Sequence, residues 1–180
     1  LSAALAAGLQ AVGIDTIDVG VLPSGGISIL TDRSAARMGA IVSASHNPAP
    51  DNGIKLLGEH GTKLPDEQER AIEDRLRAPG RRSAVNGAIG IGLVDSDALY
   101  EYINYLADVA VYSLGGLQIT LDCANGAAFK AAPELFWRLK ADVEVLAAEP
   151  NGMNINDGCG ATHPEYLASH SRGRVGLAFD

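Results

Sequence analysis

The segment that decides the fold runs from Met38-Gly39-Ala40-Ile41-Val42 directly into Ser43-Ala44-Ser45-His46-Asn47-Pro48. Its first five residues are apolar, with β-branched residues at their end, and this pattern predicts a short buried strand. The polar residues that follow predict a loop at the carboxyl end of that strand, which is where α/β folds place their chemistry. The sequence therefore predicts a functional loop centred on Ser45.

The Ser45 loop combines residue types that suit phosphoryl transfer. A serine hydroxyl is a weak nucleophile unless it is activated or already carries the group to be transferred, and the adjacent His46 can move protons near neutral pH. Asp51-Asn52-Gly53-Ile54-Lys55 turns the chain back and ends on an ammonium group suited to a phosphate oxygen. No G-x-S-x-G elbow surrounds Ser45, which disfavours acyl transfer. A solvated surface turn is the alternative interpretation.

Composition and charge narrow the function class. The chain has 180 residues, of which 47% are hydrophobic, as expected for one globular domain or two small ones. Its net charge of −8 disfavours nucleic acid and anionic membranes as partners, so an anionic substrate would need local positive charge such as Lys55. Cys123 and Cys159 fit neither a disulfide framework nor a zinc or redox motif, and we expect reduced thiols in a cytoplasmic protein.

Strand and helix patterns alternate along the chain, which predicts an α/β fold with sheets covered by helices. A loop at residues 78–88 separates two predicted domains, 1–88 and 89–180. We expect a fragment, because Leu1 opens inside an apolar pattern and Asp180 directly follows an apolar strand. The predicted helices cover residues 1–12, 24–38, 65–77, 95–114, 132–139 and 164–170, and the predicted strands cover residues 15–20, 38–42, 54–57, 62–64, 117–121, 143–147 and 174–179.

Three stretches together resemble the α-D-phosphohexomutase family. The serine loop at residues 43–55 is similar to the active-site loop of that family, and Asp122–Ala127 is identical to its DCANGA turn. Residues 154–163 are similar to its NIN-x-x-CGSTH loop, with Ala161 in place of the usual serine. This third stretch favours the amino-sugar branch over the phosphomannomutase/phosphoglucomutase branch. The resemblance covers essentially the whole chain and implies the α/β layers of the family.

The resemblance implies an isomerase that works through a phosphoserine. Ser45 would carry a phosphoryl group, pass it to glucosamine 6-phosphate to form a bisphosphate, and take the other phosphate back. The glucosamine 1-phosphate released would serve UDP-N-acetylglucosamine synthesis. His46 and Lys55 are implied catalytic partners of Ser45, and Asn47 is an implied substrate contact. For His163 the alternatives of substrate contact and loop packing stay open.

The resemblance also implies a Mg²⁺ site. Asp180 matches the first aspartate of the family's DGDADR metal loop, and the phosphate on Ser45 would supply another hard oxygen ligand. The other two aspartates of that loop would lie beyond this sequence. We therefore expect the 180-residue chain alone to be inactive.

Two other functions remain open at this point. One is a phosphomannomutase/phosphoglucomutase, which has the same chemistry and a different sugar. The other is a non-catalytic sugar-phosphate-binding protein on the same scaffold, against which the intact serine loop and Lys55 argue. For oligomeric state, a homodimer is one option. We expect Asp122, which lies in a turn, to bind backbone groups rather than act in catalysis.

Overall fold

The computed structural model describes residues 1–47, 50–78, 80 and 87–180. The chain forms two compact units, each built from segments that are not contiguous in sequence. The first unit comprises Leu1–Gly20, Ile27–Val42 and Ile54–Ala98, and the second comprises Val21–Gly26, Ser43–Gly53 and Leu99–Asp180. The division into domains at residues 88 and 89 stays a prediction. The predicted loop at residues 78–88 lies largely outside the described residues.

The described residues form six α-helices and seven β-strands, which confirms the predicted α/β class. The helices are α1 (Ser2–Gln10), α2 (Ser24–Arg33), α3 (Asp66–Arg77), α4 (Ala98–Val109), α5 (Ala128–Arg138) and α6 (Pro164–His170). The strands are β1 (Thr16–Asp18), β2 (Gly39–Ser43), β3 (Gly53–Leu57), β4 (Gly92–Val94), β5 (Gln118–Asp122), β6 (Asp142–Leu146) and β7 (Val175–Ala178). None of the described helices combines the length and apolar character that a bilayer crossing requires.

The first unit contains two small two-stranded sheets among its described residues. Strands β2 and β3 pair in one, and β1 and β4 pair in parallel in the other, with Thr16 opposite Gly92. No strand is predicted at β4, because glycine alternates with apolar residues in and just before it and is a poor strand former. Close contacts leave no room for a side chain at two of these glycines. A Cβ on Gly90, two residues before β4, would lie 2.1 Å from the Ile14 carbonyl oxygen, and a Cβ on Gly92 would lie 2.6 Å from Gln10 Nε2.

The second unit is organised around a parallel sheet in the order β6-β5-β7. Strand β5 is central and contributes Ile119 and Leu121 to the core, while Thr120 and Asp122 on the same strand are also fully buried. A strand buried on both faces is typical of a parallel sheet covered by helices. Helix α5 packs against this core through small side chains at Ala128 and Ala132.

The predicted limits of three helices were wrong. Helix α5 begins four residues earlier than predicted, because the Phe129 N–H bonds to the Gly126 carbonyl and starts the first turn there. Pro133 is therefore inside the helix rather than near its first turn. Helix α4 ends at Val109, because the following segment directs the Leu114 N–H to the Leu139 carbonyl. Helix α2 ends at Arg33, where Ser34–Ala36 forms a side-chain-bonded turn.

The predicted strands at residues 54–57 and 62–64 meet in a hairpin, although in the structure the second segment forms a single bridge rather than a strand. Leu57 and Lys63 form an antiparallel bridge, and the Gly58 N–H bonds to the Thr62 carbonyl at 2.8 Å. A 3₁₀ turn at Glu59–Gly61 reverses the chain. Helix α3 follows with acidic residues in its first turn and arginines in its last, an arrangement that favours the helix dipole at both ends.

Candidate active site

The Ser45 loop leaves the end of β2 and belongs to the second unit. Ser45 has a left-handed backbone conformation, with φ of 55°, and its N–H donates to the Ser43 hydroxyl at 2.9 Å. Ala44 is buried, and its carbonyl accepts from the Asn47 N–H at 3.1 Å. Because Ser43 binds the loop backbone, it supports the geometry of Ser45. Pro48 lies outside the described residues.

The turn after β5 is organised by a buried carboxylate. The Asp122 side chain is fully buried, with Oδ1 accepting from the Ala124 N–H at 3.0 Å and Oδ2 accepting from the Gly160 N–H at 2.7 Å. Ala124 and Asn125 both have positive φ, so the turn takes a conformation that needs such support. The structure thus confirms the expectation that Asp122 bonds to backbone groups.

The loop at residues 154–163 is bonded to both neighbouring segments. The Asn156 N–H donates to the Ala124 carbonyl at 2.9 Å, and the Ala161 N–H donates to the Phe179 carbonyl at 2.7 Å. Phe179 in turn donates its N–H to the Asp122 carbonyl at 2.9 Å. The turn, this loop and the carboxyl end of β7 therefore form one continuous hydrogen-bonded layer.

The Asn156 side chain connects this layer to the Ser45 loop. The Asn156 side-chain Nδ2 donates to the Ser45 carbonyl oxygen at 3.1 Å, across 111 residues of sequence. The structure thereby joins the three motifs that carry the family resemblance within one compact unit. Asn156 lies in the third of these motifs, but it is not among the site residues predicted from the sequence. A positive-φ asparagine cannot be recognised from residue spacing alone.

Asn125 fixes the opposite side of the turn. Its Oδ1 accepts from the Glu149 N–H at 3.0 Å, and its Nδ2 donates to the Asn154 carbonyl at 3.3 Å.

The thiols of Cys123 and Cys159 are free and buried. Burial, and then the charge of Asp122, raises the pKa of Cys123 to about 12, and the same two causes raise the pKa of Cys159. Both thiols are therefore protonated near neutral pH and packed as small apolar groups.

The other predicted site residues lie at exposed or half-exposed positions. His46 and Asn47 are exposed on the Ser45 loop, and Asp180 is exposed directly after β7 in the same unit. His163 precedes α6 and is 44% exposed, with Nδ1 3.3 Å from a carboxylate oxygen of Glu165. The roles of these residues stay predictions.

Lys55 lies on β3 and is exposed, and it is assigned to the first unit. Its role also stays a prediction. Within residues 1–47, 50–78, 80 and 87–180, no three His, Cys, Asp or Glu side chains are grouped as a metal site. Asp180 contributes a single exposed carboxylate at the carboxyl end of the parallel sheet.

Two sequence comparisons agree with these motifs. Residues 1–82 match the family described as phosphoglucomutase/phosphomannomutase, alpha/beta/alpha domain I. Over its whole length the chain is 45% identical to the phosphoglucosamine mutase of Desulforudis audaxviator. The first 82 residues therefore match this family, and the whole chain is similar to a phosphoglucosamine mutase. It spans 41% of the length of that relative.

Solved structures of α-D-phosphohexomutases have the same fold. A phosphoglucomutase/phosphomannomutase family protein from Burkholderia thailandensis superimposes with a TM-score of 0.79 at 24% identity, over 99% of this chain and 41% of that one. The N-acetylphosphoglucosamine mutase of Aspergillus fumigatus, solved with GlcNAc-6P and magnesium, has a TM-score of 0.52 at 19% identity. That match covers 91% of this chain and 42% of the fungal one. Both matches concern the fold, and they confirm the phosphohexomutase-type architecture.

Proposed function

We propose that the complete protein containing this chain is a phosphoglucosamine mutase, which interconverts glucosamine 6-phosphate and glucosamine 1-phosphate. The identity of 45% with a relative of that name, over the whole chain, supports this function. The structural observation that carries it is the hydrogen bond of 3.1 Å from Asn156 to the Ser45 carbonyl. Through that bond the serine loop meets the loop that resembles the amino-sugar branch.

Ser45 is the proposed carrier of the phosphoryl group. In the first half-reaction the C1 hydroxyl of glucosamine 6-phosphate attacks the phosphorus, the bond from phosphorus to Ser45 Oγ breaks, and a bisphosphate forms. After the sugar reorients, Ser45 Oγ attacks the phosphorus at C6, the bond from that phosphorus to the C6 oxygen breaks, and glucosamine 1-phosphate leaves. Each half-reaction is therefore a phosphoryl transfer between two oxygens, with positioning and charge as the main catalytic contributions.

His46 and Lys55 are the proposed partners of Ser45 in both half-reactions. His46 would accept the proton of the attacking hydroxyl and return it to the leaving oxygen, which an imidazole can do near neutral pH. Lys55 would offset the negative charge on the transferred group. The chain carries a net charge of −8, so such a local cation is needed to attract an anionic sugar phosphate. Asn47 and His163 are proposed contacts of the sugar phosphate.

Mg²⁺ is the proposed cofactor. The donors that the chain offers are a phosphate oxygen on Ser45 and the exposed Asp180 carboxylate, which are hard oxygen ligands of the kind Mg²⁺ prefers. Magnesium in the fungal mutase of the same fold supports this assignment. When bound, the ion would offset the charge that develops on the transferred phosphoryl group. We further propose a cytoplasmic location, where the product would enter UDP-N-acetylglucosamine synthesis.

A complete mutase containing this chain is expected to prefer glucosamine 6-phosphate over mannose 6-phosphate and glucose 6-phosphate. The loop at residues 154–163 resembles the amino-sugar branch in nearly every position, and Ala161 lacks only one hydroxyl of that pattern. A lost neutral hydrogen bond is worth on the order of 1 kcal/mol, too little to reverse a preference built from several contacts. The measurement is kcat/KM for the three sugar phosphates under identical Mg²⁺ and activator.

Two results would contradict this proposed function and indicate another one. A tenfold advantage of mannose or glucose phosphate, about 1.4 kcal/mol, would indicate a phosphomannomutase/phosphoglucomutase. Binding of sugar phosphates with no turnover of any of the three would indicate a non-catalytic binding protein. An Ala161→Ser variant serves as the control for the missing hydroxyl, and its ratio of kcat/KM values should stay within about tenfold of the wild-type ratio.

Phosphopeptide mapping of that mutase should place the phosphate on Ser45 and leave Ser43 unmodified. The Ser43 hydroxyl already accepts the Ser45 N–H at 2.9 Å, so a phosphate on Ser43 would disrupt the bond that supports the loop. Ser43→Ala is the matched variant. It should retain phosphate on Ser45, whereas Ser45→Ala should carry none. Phosphate on Ser43 in the wild-type protein would contradict the assignment.

A further inference from the structure

We propose that Asn156 is a positioning residue for the phosphoryl transfer step, acting through the Ser45 carbonyl that its side chain binds. This inference rests on the proposed function, because it concerns the serine that carries the phosphate. It adds a residue from the loop at 154–163 to the machinery of the Ser45 loop. Three features of the structure support this role: the contacts that hold Ser45, the contacts that hold Asn156, and the donor role of the Asn156 amide.

Ser45 is held on both sides of its Cα. Its N–H donates to the Ser43 hydroxyl at 2.9 Å, and its carbonyl accepts from Asn156 Nδ2 at 3.1 Å. With φ of 55°, Ser45 is in a region that L-residues other than asparagine, aspartate and histidine rarely occupy. Such a conformation persists only where the surroundings enforce it. The Ser43 bond is local, whereas the Asn156 bond ties the Ser45 peptide to the loop at residues 154–163.

Asn156 is itself held in place by contacts other than its bond to Ser45. Its N–H donates to the Ala124 carbonyl at 2.9 Å, in the turn whose backbone the buried Asp122 carboxylate binds. Its own φ of 56° is one that asparagine tolerates better than most residues. A Cβ on Gly160 would lie 3.1 Å from Asn156 Oδ1, so the side chain is closely packed on that side. The amide therefore has little freedom to leave the Ser45 carbonyl.

The Asn156 side-chain amide acts as a hydrogen-bond donor. Within the described part of the chain, the buried Oδ1 has no hydrogen-bond partner, whereas Nδ2 binds Ser45. An unpaired buried acceptor is unfavourable, so a side chain kept only for packing would be better apolar. An aspartate has the same shape and tolerates the same φ, but it has no N–H to donate and would place an oxygen against the Ser45 carbonyl. Asn156→Asp therefore removes the hydrogen-bond donor and keeps the shape of the side chain.

The chain offers a matched control two residues away. Asn154 Nδ2 donates to the Glu149 carbonyl at 3.0 Å, so Asn154→Asp also removes one amide donor from one backbone carbonyl in the same loop. The two substitutions make the same change in charge and size, although Asn154 Oδ1 also accepts the Asn151 N–H at 2.9 Å, whereas Asn156 Oδ1 is buried. They differ in which carbonyl loses its donor, and of the two residues Asn156 is the one that binds Ser45.

The test compares Asn156→Asp, Asn156→Gly and Asn154→Asp in a complete mutase containing this chain. The glycine variant deletes the amide, and it keeps the positive φ accessible if the aspartate variant folds poorly. Each protein is loaded with phosphate on Ser45, its phosphoserine content is measured, and the decay of phosphoserine is followed in a single turnover with glucosamine 6-phosphate. Steady-state kcat and KM and the melting temperature are measured alongside.

We expect both Asn156 variants to slow the single-turnover decay and kcat by roughly 10- to 100-fold per phosphorylated enzyme, because misplacement of the reacting group mainly affects the transition state. KM should change by less than about threefold, and Asn154→Asp should stay within about twofold of wild type in kcat at a similar loss of melting temperature. Asn156 variants that match Asn154→Asp in kcat would overturn the positioning role. Turnover by wild type of none of the three sugar phosphates would instead overturn the proposed function, and this inference with it.

Discussion

Asp122→Ala is expected to lower the free energy of unfolding of the chain by about 3–5 kcal/mol. The carboxylate is fully buried and accepts the N–H groups of Ala124 and Gly160 at 3.0 and 2.7 Å. Alanine would leave both donors unpaired in a dry site, and each unpaired buried donor costs about 1–3 kcal/mol. The void left by the carboxylate adds to that cost.

Urea unfolding followed by Trp137 fluorescence measures this effect. Trp137 is the one tryptophan of the sequence and lies on α5, which packs against β5. Asp122→Asn is a second informative variant, because its amide can accept one of the two N–H groups but presents its own N–H to the other. Asp157→Ala is the control, since Asp157 is exposed in the loop at residues 154–163 that contains Gly160, and its loss should change stability by less than about 0.5 kcal/mol. A loss of under about 1 kcal/mol for Asp122→Ala would contradict the role assigned to the carboxylate.

Gly160→Ala is expected to cost about 2–4 kcal/mol of stability, for two separable reasons. The backbone has φ of 80°, which costs an L-residue about 1 kcal/mol or more. A Cβ there would also lie 2.6 Å from the Ala124 Cβ and 2.9 Å from the Phe179 carbonyl oxygen, so the packed layer would have to move. Overpacking of this kind typically costs about 1–3 kcal/mol.

Gly158→Ala separates the two reasons. Gly158 has φ of 65°, but a Cβ on it would meet no atom within 4 Å. Its substitution should therefore show only the conformational cost, about 1 kcal/mol. The same urea titration measures both variants, and equal losses at the two positions would show that crowding at Gly160 is unimportant. Because Gly160 donates its N–H to Asp122, the effects of Gly160→Ala and Asp122→Ala should not be additive.

Much of the fold could be predicted because local patterns agree with the tertiary arrangement. Strands β5 and β7 contain runs of apolar or β-branched residues, β6 alternates valine with acidic residues, and α6 begins with Pro164 at its first position, as predicted. The prediction errors occur where contacts between distant parts of the chain determine the secondary structure. Strand β4 was missed because Gly92 lies within it and Gly90 just before it, where the Ile14 backbone leaves no room for a Cβ, and α5 tolerates Pro133 within its length.

By itself the sequence indicated the family and determined the α/β class, and it predicts the chemistry of the Ser45 loop. These follow from residue types at short spacings in the sequence, through local secondary-structure patterns and through the resemblance of the motifs. Only the tertiary structure decided that Asn156 reaches the Ser45 carbonyl at 3.1 Å, and that Asp122 binds two segments at once. The partners of Asn156 and Asp122 lie as far as 111 and 38 residues away in sequence. Contacts over such distances depend on how the sheet and its loops pack, which no local pattern encodes.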